Sequence, residues 1–233
     1  MAISLVAHDA AQGTTGGATT AGTDTTGATL LVVALTSFVG AAEPTLSDSY
    51  GNTWTPLTAA TTGVSRTRFF YAAAPAVGVG HTVTVTGATS FPVVALLAFA
   101  GTGGSPFDAE SGGTFGTVTT AAAAAVTPAA DGAAVVVAFG YEVAGAPGSP
   151  ALDGGFTVAD TLVNVAGTSF GTLTGYLIQT TAALAGPTAT WTTASAGTTA
   201  TAAFAAGGGF DPALLPRPPC PPPASRRVRA VPY

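Results

Sequence analysis

Leu30-Leu31-Val32-Val33-Ala34-Leu35 is an unbroken apolar run of strand length, and it has a counterpart in Ala134-Val135-Val136-Val137-Ala138-Phe139. The two runs are separated by 104 residues, and three further blocks recur at nearly the same separation. These blocks are Tyr71 with Tyr176, residues 80–86 with 186–192, and residues 98–100 with 203–205. Four apolar blocks that recur at one spacing predict that residues 28–101 and 132–207 are topologically similar halves.

The spacing of the halves also indicates the architecture. The repeat is too long for a solenoid unit or a propeller blade. Each half has only about 75 residues, which favours one core shared by both halves over two separate small domains. We therefore predict an all-β, jelly-roll-like β-sandwich of two related halves, with residues 1–209 as a single domain.

Individual strands follow from continuous apolar runs or from strict alternation of apolar and polar residues. Residues 10–27 are mostly Thr, Gly and Ala without periodicity, and they are interpreted as a loop or an irregular edge segment. Residues 121–125 are alanines with high helix propensity, but the flanking threonines and Pro128 favour extended structure. The predicted strands cover residues 29–38, 66–74, 81–86, 92–100, 135–141, 156–162, 173–180, 188–193 and 199–205.

The surface expected from this composition has few charges. The chain is 47% hydrophobic but only 7% charged, whereas an average soluble domain has roughly 25% charged residues. A surface solvated by threonine and serine rather than by lysine and glutamate is weakly protected against association. We therefore expect partners in an assembly to cover much of this surface, including other copies of the chain in a homo-oligomer.

Charge and the length of the apolar runs exclude two classes of partner. The net charge is −5 and lysine is absent, so a nucleic-acid interface built from clustered basic residues is not expected. The longest apolar runs have strand length, far below the ~20 residues of a membrane-spanning helix, so no membrane partner is expected. The N-terminus has no basic region before a hydrophobic stretch, which argues against a secretory signal.

Few residues could carry catalysis. The chain contains two histidines, His8 and His81, and one cysteine, Cys220. A Ser–His–Asp triad requires a histidine held by a carboxylate beside a nucleophile. Both histidines are interpreted as edge or turn residues, and one cysteine can neither form an intramolecular disulfide nor hold zinc alone. The sequence therefore predicts a protein that is not an enzyme and has no cofactor.

Acidic residues and glycine pairs fall at predicted turns. Asp48 and Asp153 are 105 residues apart and each precedes a glycine-containing turn, where a carboxylate usually binds its own backbone. Calcium is the alternative, although it needs six to eight oxygen ligands. Asp108 and Glu110 could act as an acid and base pair in glycoside hydrolysis, but a solvated loop is favoured. Glycine pairs lack the setting of a phosphate loop and are interpreted as turns at 103–104, 112–113 and 154–155.

The aromatic residues Trp54, Trp191, Tyr71 and Tyr176 lie in predicted strands. Aromatic side chains in an alternating strand pattern are typical of a core. A carbohydrate-binding aromatic platform is the competing interpretation.

Residues 210–233, here called the C-terminal arm, differ in composition from the rest of the chain. They contain eight prolines, which exclude the interior of a sheet and favour polyproline II. Such a segment loses little entropy when it binds along a neighbouring subunit. A disordered end is the alternative. The predicted partner-binding residues are Phe210, Leu214, Leu215, Arg217, Arg226, Arg227, Arg229 and Tyr233.

Four blocks together resemble a known group of proteins. They are Leu-Val-Val-Ala at 31–34, Asp-Ser-Tyr-Gly-Asn-Thr-Trp-Thr at 48–55, Phe-Tyr-Ala at 70–72 and His-Thr-Val-Thr-Val-Thr at 81–86. This order is similar to that in jelly-roll-type proteins of tailed bacteriophages, and similar domains occur in bacterial surface proteins. The resemblance spans residues 28–207 and rests on strand and turn residues. It implies a virion component, such as a capsid decoration protein, a minor capsid protein or a fibre module.

The expected function is therefore structural. We expect a virion protein, assembled in the host cytoplasm, that binds the major capsid protein or other virion subunits through sandwich loops and the C-terminal arm. The alternative is a module of a head or tail fibre that binds a host glycan through loops around Trp54 or Asp108.

Overall fold

The computed structural model describes residues 2–87 and 90–207, and these residues form fifteen β-strands and no helix. The predicted all-β sandwich is confirmed. The strands are β1 (Ser4–Gln12), β2 (Gly17–Thr19), β3 (Leu30–Phe38), β4 (Thr45–Asp48), β5 (Thr55–Pro56), β6 (Ala60–Thr61), β7 (Ser65–Ala73), β8 (Val83–Thr86), β9 (Val93–Ala100), β10 (Thr102–Ala122), β11 (Ala134–Tyr141), β12 (Ala151–Leu152), β13 (Thr157–Leu162), β14 (Gly171–Ile178) and β15 (Thr188–Ala206).

Each half of the sequence repeat, together with one strand that precedes it in the chain, forms an antiparallel six-stranded sheet within the described residues. The first sheet has the order β1-β9-β3-β7-β5, with β6 also paired to β7. The second has the order β10-β15-β11-β14-β13, with β12 paired to β15. In both sheets the preceding strand, β1 or β10, lies at one edge and pairs with the last strand of the half. A third sheet, β2-β8-β4, consists of β2 and two strands of the first half, and it is called the cover sheet below.

The edge strands of the two sheets share a β-bulge. β1 is bulged next to Leu5, which pairs with Phe99. β10 is bulged next to Phe107, which pairs with Phe204. Phe99 and Phe204 are counterparts in the sequence repeat. The same bulge therefore occurs at equivalent places in both sheets, where it bends the edge strand and increases its twist.

One hydrophobic cluster lies between the two sheets and draws on both halves of the chain. Hydrophobic burial contributes roughly 25 cal/mol per Å² of apolar surface removed from water, and here each sheet supplies the surface that covers the other. The larger buried members are Leu30, Val32, Phe69, Leu97 and Phe99 from the first half and Val136 and Phe204 from the second.

The outer faces of both sheets are covered as well. Leu31 and Val33 on the outer face of β3 pack against the cover sheet, including Val83. On the second sheet, Val137 packs in a cluster with Trp191 and the extended segment that follows β10. Because both faces are buried, β3, β9 and β11 have continuous apolar sequences instead of alternating ones.

The structure decides between the two interpretations of residues 10–27 and corrects one turn assignment. Residues 10–27 fit the edge-segment alternative better than the loop, because they contain the end of the edge strand β1 and the whole of the edge strand β2, which pair with β9 and β8. The glycine pairs at 103–104 and 112–113 lie inside β10 and not in turns. Close packing explains the glycine at position 112, because a Cβ on Gly112 would lie 3.1 Å from the Ala60 Cβ of the opposite sheet.

Three other assignments made from the sequence agree with the structure or differ from it only in strand boundaries. The pair Gly154 and Gly155 does form a turn, and both residues have positive φ, 64° and 80°. Residues 188–193 and 199–205 are extended as predicted, but they belong to the single strand β15. Extended structure over 121–125 is confirmed, because β10 continues to Ala122 and Val126 forms a bridge with Ala185.

Candidate functional site

The described residues that most resemble catalytic machinery lie under the cover sheet. His81 Nδ1 is hydrogen-bonded to Thr25 Oγ1 at 2.9 Å, and His81 Nε2 faces Asp48 Oδ1 at 3.8 Å. The Tyr50 ring packs on the imidazole with 4.8 Å between ring centroids. A hydroxyl, an imidazole and a carboxylate in this order are the components of a nucleophilic triad.

The geometry of this cluster is structural and not catalytic. The side chains of Thr25, His81 and Asp48 are all buried, so a substrate has no access to the hydroxyl. The Thr25 hydroxyl is within 3.2 Å of both the N–H and the carbonyl of Gly78. His81 was expected at an edge or turn; the structure buries it because its neighbours come from positions 25, 48 and 50.

Asp48 organises the turn that follows it, as the sequence predicted. Its Oδ1 accepts hydrogen bonds from the backbone N–H of Tyr50 at 2.8 Å and of Asn52 at 3.2 Å. Its Oδ2 accepts a third from Trp54 Nε1 at 2.9 Å. The Asp-x-x-Gly-Asn-x-Trp pattern is thus explained by local folding, because one carboxylate satisfies three donors of the same turn.

The fold disfavours the protonated form of His81. Burial lowers the pKa of His81 below its ordinary value of 6.5, and the Asp48 carboxylate opposes this shift to a smaller extent. Among the described residues His81 Nε2 has no hydrogen-bond partner and faces only the Asp48 carboxylate, at 3.8 Å. Protonation would therefore place a charge inside the fold whose desolvation this one contact offsets only in part.

The stability of the protein is expected to fall as the pH falls below about 6.5. In that window the unfolded chain binds a proton at His81 while the folded chain, with its lower pKa, does not, so protons favour unfolding. Urea denaturation between pH 7.5 and 5 measures this slope. In the His81→Gln variant the slope should be smaller; an unchanged slope would contradict the assignment to His81.

A polar pair joins the two sheets along each side of the sandwich. On one side, His8 Nδ1 on β1 lies 3.0 Å from Asp160 Oδ1 on β13. On the other side, Glu110 on β10 accepts hydrogen bonds from Thr58 N and Thr58 Oγ1, both at 2.8 Å. His8 pairs with Leu97, and Glu110 pairs with the counterpart of Leu97 in the second sheet. The two pairs therefore occupy equivalent positions in the repeat.

The carboxylates proposed as acid and base do not act as a pair. Glu110 binds Thr58, whereas Asp108 Oδ2 accepts a hydrogen bond from Ala129 N at 2.7 Å. Asp153 likewise has a structural contact, because its Oδ1 accepts from Thr188 N at 2.6 Å. Burial raises the pKa of Asp160, and its hydrogen bond with His8 partly offsets that shift. Each of these groups holds one loop or strand to another.

An apolar cleft of about 360 Å³ lies at one end of the sandwich, where β3 and β11 end. The Glu142 carboxylate lies in its wall and accepts hydrogen bonds from Ser65 Oγ at 2.7 Å and from Thr62 Oγ1. Four exposed valines lie in or beside the residues that form the cleft: Val64, Val143, Val163 and Val165. The other lining side chains include Phe38, Phe91, Asn164 and Phe170.

A second concavity, here called the aromatic groove, lies between the two sheets near the opposite end. It has a volume of about 440 Å³. Tyr71 and Phe107 stack in it with 5.8 Å between centroids and 13° between planes. Both remain partly exposed. The other lining residues are Thr53, Thr55, Ala73, Gly104, Ser105 and Pro106.

The tryptophans contribute to packing. Trp191 is buried among Phe115, Phe139 and Tyr141. Trp54 packs against the cluster under the cover sheet. Tyr176 lies edge-on to Phe99. The core assignment therefore describes most of the aromatic residues, while Tyr71 also borders the aromatic groove, which the sequence did not reveal.

The proposed contact residues of the C-terminal arm lie outside the described residues, as does Cys220. They are Phe210, Leu214, Leu215, Arg217, Arg226, Arg227, Arg229 and Tyr233.

Between residues 2 and 207, apart from 88 and 89, no three His, Cys, Asp or Glu side chains are grouped so that they could hold a metal ion. The same residues contain no helix of the length and apolarity needed to span a membrane. Comparison of the chain with protein-family models, with curated proteins and with solved structures finds no match. The geometry of the molecule is therefore the basis of any functional assignment.

Proposed function

We propose that this protein is a non-enzymatic structural component of a tailed-phage virion, a capsid decoration or minor capsid protein that binds neighbouring subunits. The observation that carries the proposal is the edge strand β10. It runs over 21 residues, has a partner strand on one side among residues 2–87 and 90–207, and is at least partly exposed along most of its length. An edge of this length offers unpaired backbone groups to another chain.

The rest of the surface supports an assembly role. Four valines in or next to the residues that line the cleft are exposed, and exposed apolar side chains gathered at one end of a fold are typical of interaction sites. The major capsid protein, another virion subunit or a second copy of the chain would cover such an area. Assembly on the virion in the host cytoplasm is part of this proposal.

The roles of the ionisable groups support a non-enzymatic protein. Asp48, Asp108 and Glu110 each bind backbone N–H groups, and His81 is buried. A catalytic acid or base has to reach the proton that it transfers. These groups instead hold loops and sheets in place.

Deletion of residues 210–233 is expected to abolish binding to particles that lack this protein while the fold remains intact. The arm contributes apolar anchors and four of the six arginines, and described residues of both sheets form the core of the sandwich. Co-sedimentation with particles measures binding, and circular dichroism with thermal unfolding checks the fold. Particle binding by the truncated chain at the level of the full chain would reject anchoring by the arm.

A matched variant separates charge from apolar contact. Replacement of Arg226, Arg227 and Arg229 by serine keeps the length and the prolines of the arm. We expect a partial loss of particle binding at low salt that becomes smaller as the salt concentration rises, because salt screens the contacts that the wild-type arginines make with an acidic surface.

The glycan-binding alternative is favoured by one observation, the aromatic groove. Tyr71 and Phe107 provide ring faces, and Thr53 and Thr55 provide hydroxyls, which are the groups that bind sugars in shallow sites. The loops around Trp54 and Asp108 would contribute mainly through Thr53, Thr55 and Phe107, because Trp54 Nε1 and Asp108 Oδ2 already have hydrogen-bond partners. A glycan array separates the proposals, since a purely architectural protein gives no signal.

A further inference from the structure

We propose that the aromatic groove is a binding site for a proline-rich segment, and that its occupant is the C-terminal arm of the same chain. Stacked aromatic rings with nearby hydroxyls are the surface on which polyproline II segments bind. In the groove, the rings of Tyr71 and Phe107 lie 5.8 Å apart beside Thr53 and Thr55.

The groove offers both kinds of contact that a proline-rich segment uses. The exposed ring faces of Tyr71 and Phe107 can pack against pyrrolidine rings. The Tyr71 hydroxyl makes no hydrogen bond to any residue of the described part of the chain, so it is available to donate to a prolyl carbonyl.

The last described residue before the arm, Gly207, lies near one wall of this groove. Gly207, the last described residue, donates a hydrogen bond from its N–H to the Gly101 carbonyl at 2.8 Å. A Cβ built on Gly103 would lie 3.5 Å from Gly207 Cα. One wall of the groove, residues 104–107, follows directly after Gly103 in the chain. Phe107 pairs with Phe204, only three residues before Gly207, a separation of roughly 10 Å at the rise of a strand.

The sequence of the arm suits this groove. Polyproline II has three residues per turn, so every third side chain lies on one face. One such face is entirely apolar and consists of Phe210, Ala213, Pro216, Pro219 and Pro222. The glycines at 207–209 allow the chain to change direction before this face begins.

Charge favours contact between the arm and the rest of the protein. The arm has four arginines and Asp211, a net charge of +3, while the remaining residues have two arginines and ten acidic residues, a net charge of −8. Because the arm is tethered next to the groove, its effective concentration there is on the order of millimolar, which favours the groove of the same chain over that of another copy. Arg226, Arg227 and Arg229 follow the apolar face and remain able to contact a partner.

The test uses the full chain and its single cysteine. Cys220 lies off the apolar face of the arm, so a thiol-reactive fluorophore there does not replace a contact residue. Time-resolved anisotropy reports whether the dye rotates with the sandwich or freely. We expect a slow component in the wild-type chain that is independent of protein concentration and is lost in the Phe107→Ser variant.

Two further variants test whether the loss of the slow component is specific to the aromatic groove. Val118 lies on the same strand as Phe107 and has the same exposure, 38%, but it is outside the groove. Val118→Ser should therefore keep the slow component. Ser105→Arg changes an exposed residue of the groove wall and should release the basic arm without disturbing the core, as thermal unfolding would verify.

Each outcome decides the proposal. Loss of the slow component in both groove variants, with its retention in Val118→Ser, supports it. A slow component that appears only at high protein concentration overturns it, because the arm then binds a second copy. Free rotation in the wild type also overturns it and leaves the groove to the glycan alternative. Because the measurement needs no partner, its result is independent of whether the protein binds phage particles.

Discussion

Replacement of Phe204 by alanine is expected to lower the free energy of unfolding by about 3–5 kcal/mol, the usual cost of removing a fully buried phenylalanine. Phe204 has no exposed surface and lies in the core between the sheets. Its ring is 5.6 Å from that of Tyr71 in the opposite sheet and 6.3 Å from that of Phe107. The cavity would therefore remove contacts from both sheets.

This substitution also tests whether the two halves fold as one domain. Trp54 belongs to the first half and Trp191 to the second, so variants that keep a single tryptophan report on each half separately. We expect Phe204→Ala to shift the urea midpoints of both reporters by the same amount. A shift seen only by Trp191 would show that the halves unfold independently.

Two further variants provide reference values for the loss of stability in Phe204→Ala. Phe99→Ala, the counterpart in the first half, should cost a similar amount, because Phe99 is equally buried in the same cluster. Val79→Ala changes a side chain that is 75% exposed and should change stability by less than about 0.5 kcal/mol.

The second large effect is expected from Gly197→Ala on β15. A Cβ at this position would lie 1.8 Å from the Gly140 carbonyl oxygen and 2.6 Å from the Phe115 ring. Neither a backbone atom nor a packed ring can move away at low cost, so strands β15 and β11 would have to separate locally. We expect a destabilisation of at least about 1–3 kcal/mol, the range for overpacked cores.

A glycine on the neighbouring strand provides the control. Gly116 on β10 has no atom within 4 Å of an added Cβ, so Gly116→Ala should be close to neutral or slightly stabilising. Denaturation of the two alanine variants under the same conditions measures the difference. Equal stability of the two variants would contradict the close approach of β15 and β11 at Gly197.

The sequence predicted the sandwich because its strongest signal is non-local. The apolar blocks that begin at Leu30 and Ala134 recur with their neighbours at one spacing, and each is long enough to be a strand buried on both faces. Burial of such runs requires cover on both sides, which a sandwich with outer layers provides. The turn at Asp48 was also predictable, because its carboxylate binds groups only two to six residues away.

Glycine-rich strands were missed because local propensity disfavours them. β10 contains the pairs 103–104 and 112–113, which normally weaken a strand. The ladder with β15 supplies the hydrogen bonds that hold these residues extended, and the close approach to Ala60 leaves no room for a side chain at Gly112. The sequence around these glycines does not indicate that β15 pairs with them or that Ala60 packs against Gly112.

The aromatic groove and the buried histidine depend on contacts between distant positions. Tyr71 and Phe107 are 36 residues apart and lie on different sheets. His81 meets Thr25 and Asp48 only when the cover sheet packs on the first sheet.

The sequence by itself determined the strand content, the division into two equivalent halves and the apolar core, because these follow from periodicity and burial along the chain. Tertiary packing alone decided that β10 is an exposed edge, that His81 is enclosed and that a groove lined by Tyr71 and Phe107 opens between the two sheets. Those features depend on how the two sheets and the cover sheet are placed against one another. That placement brings together side chains whose separation in the sequence carries no signal.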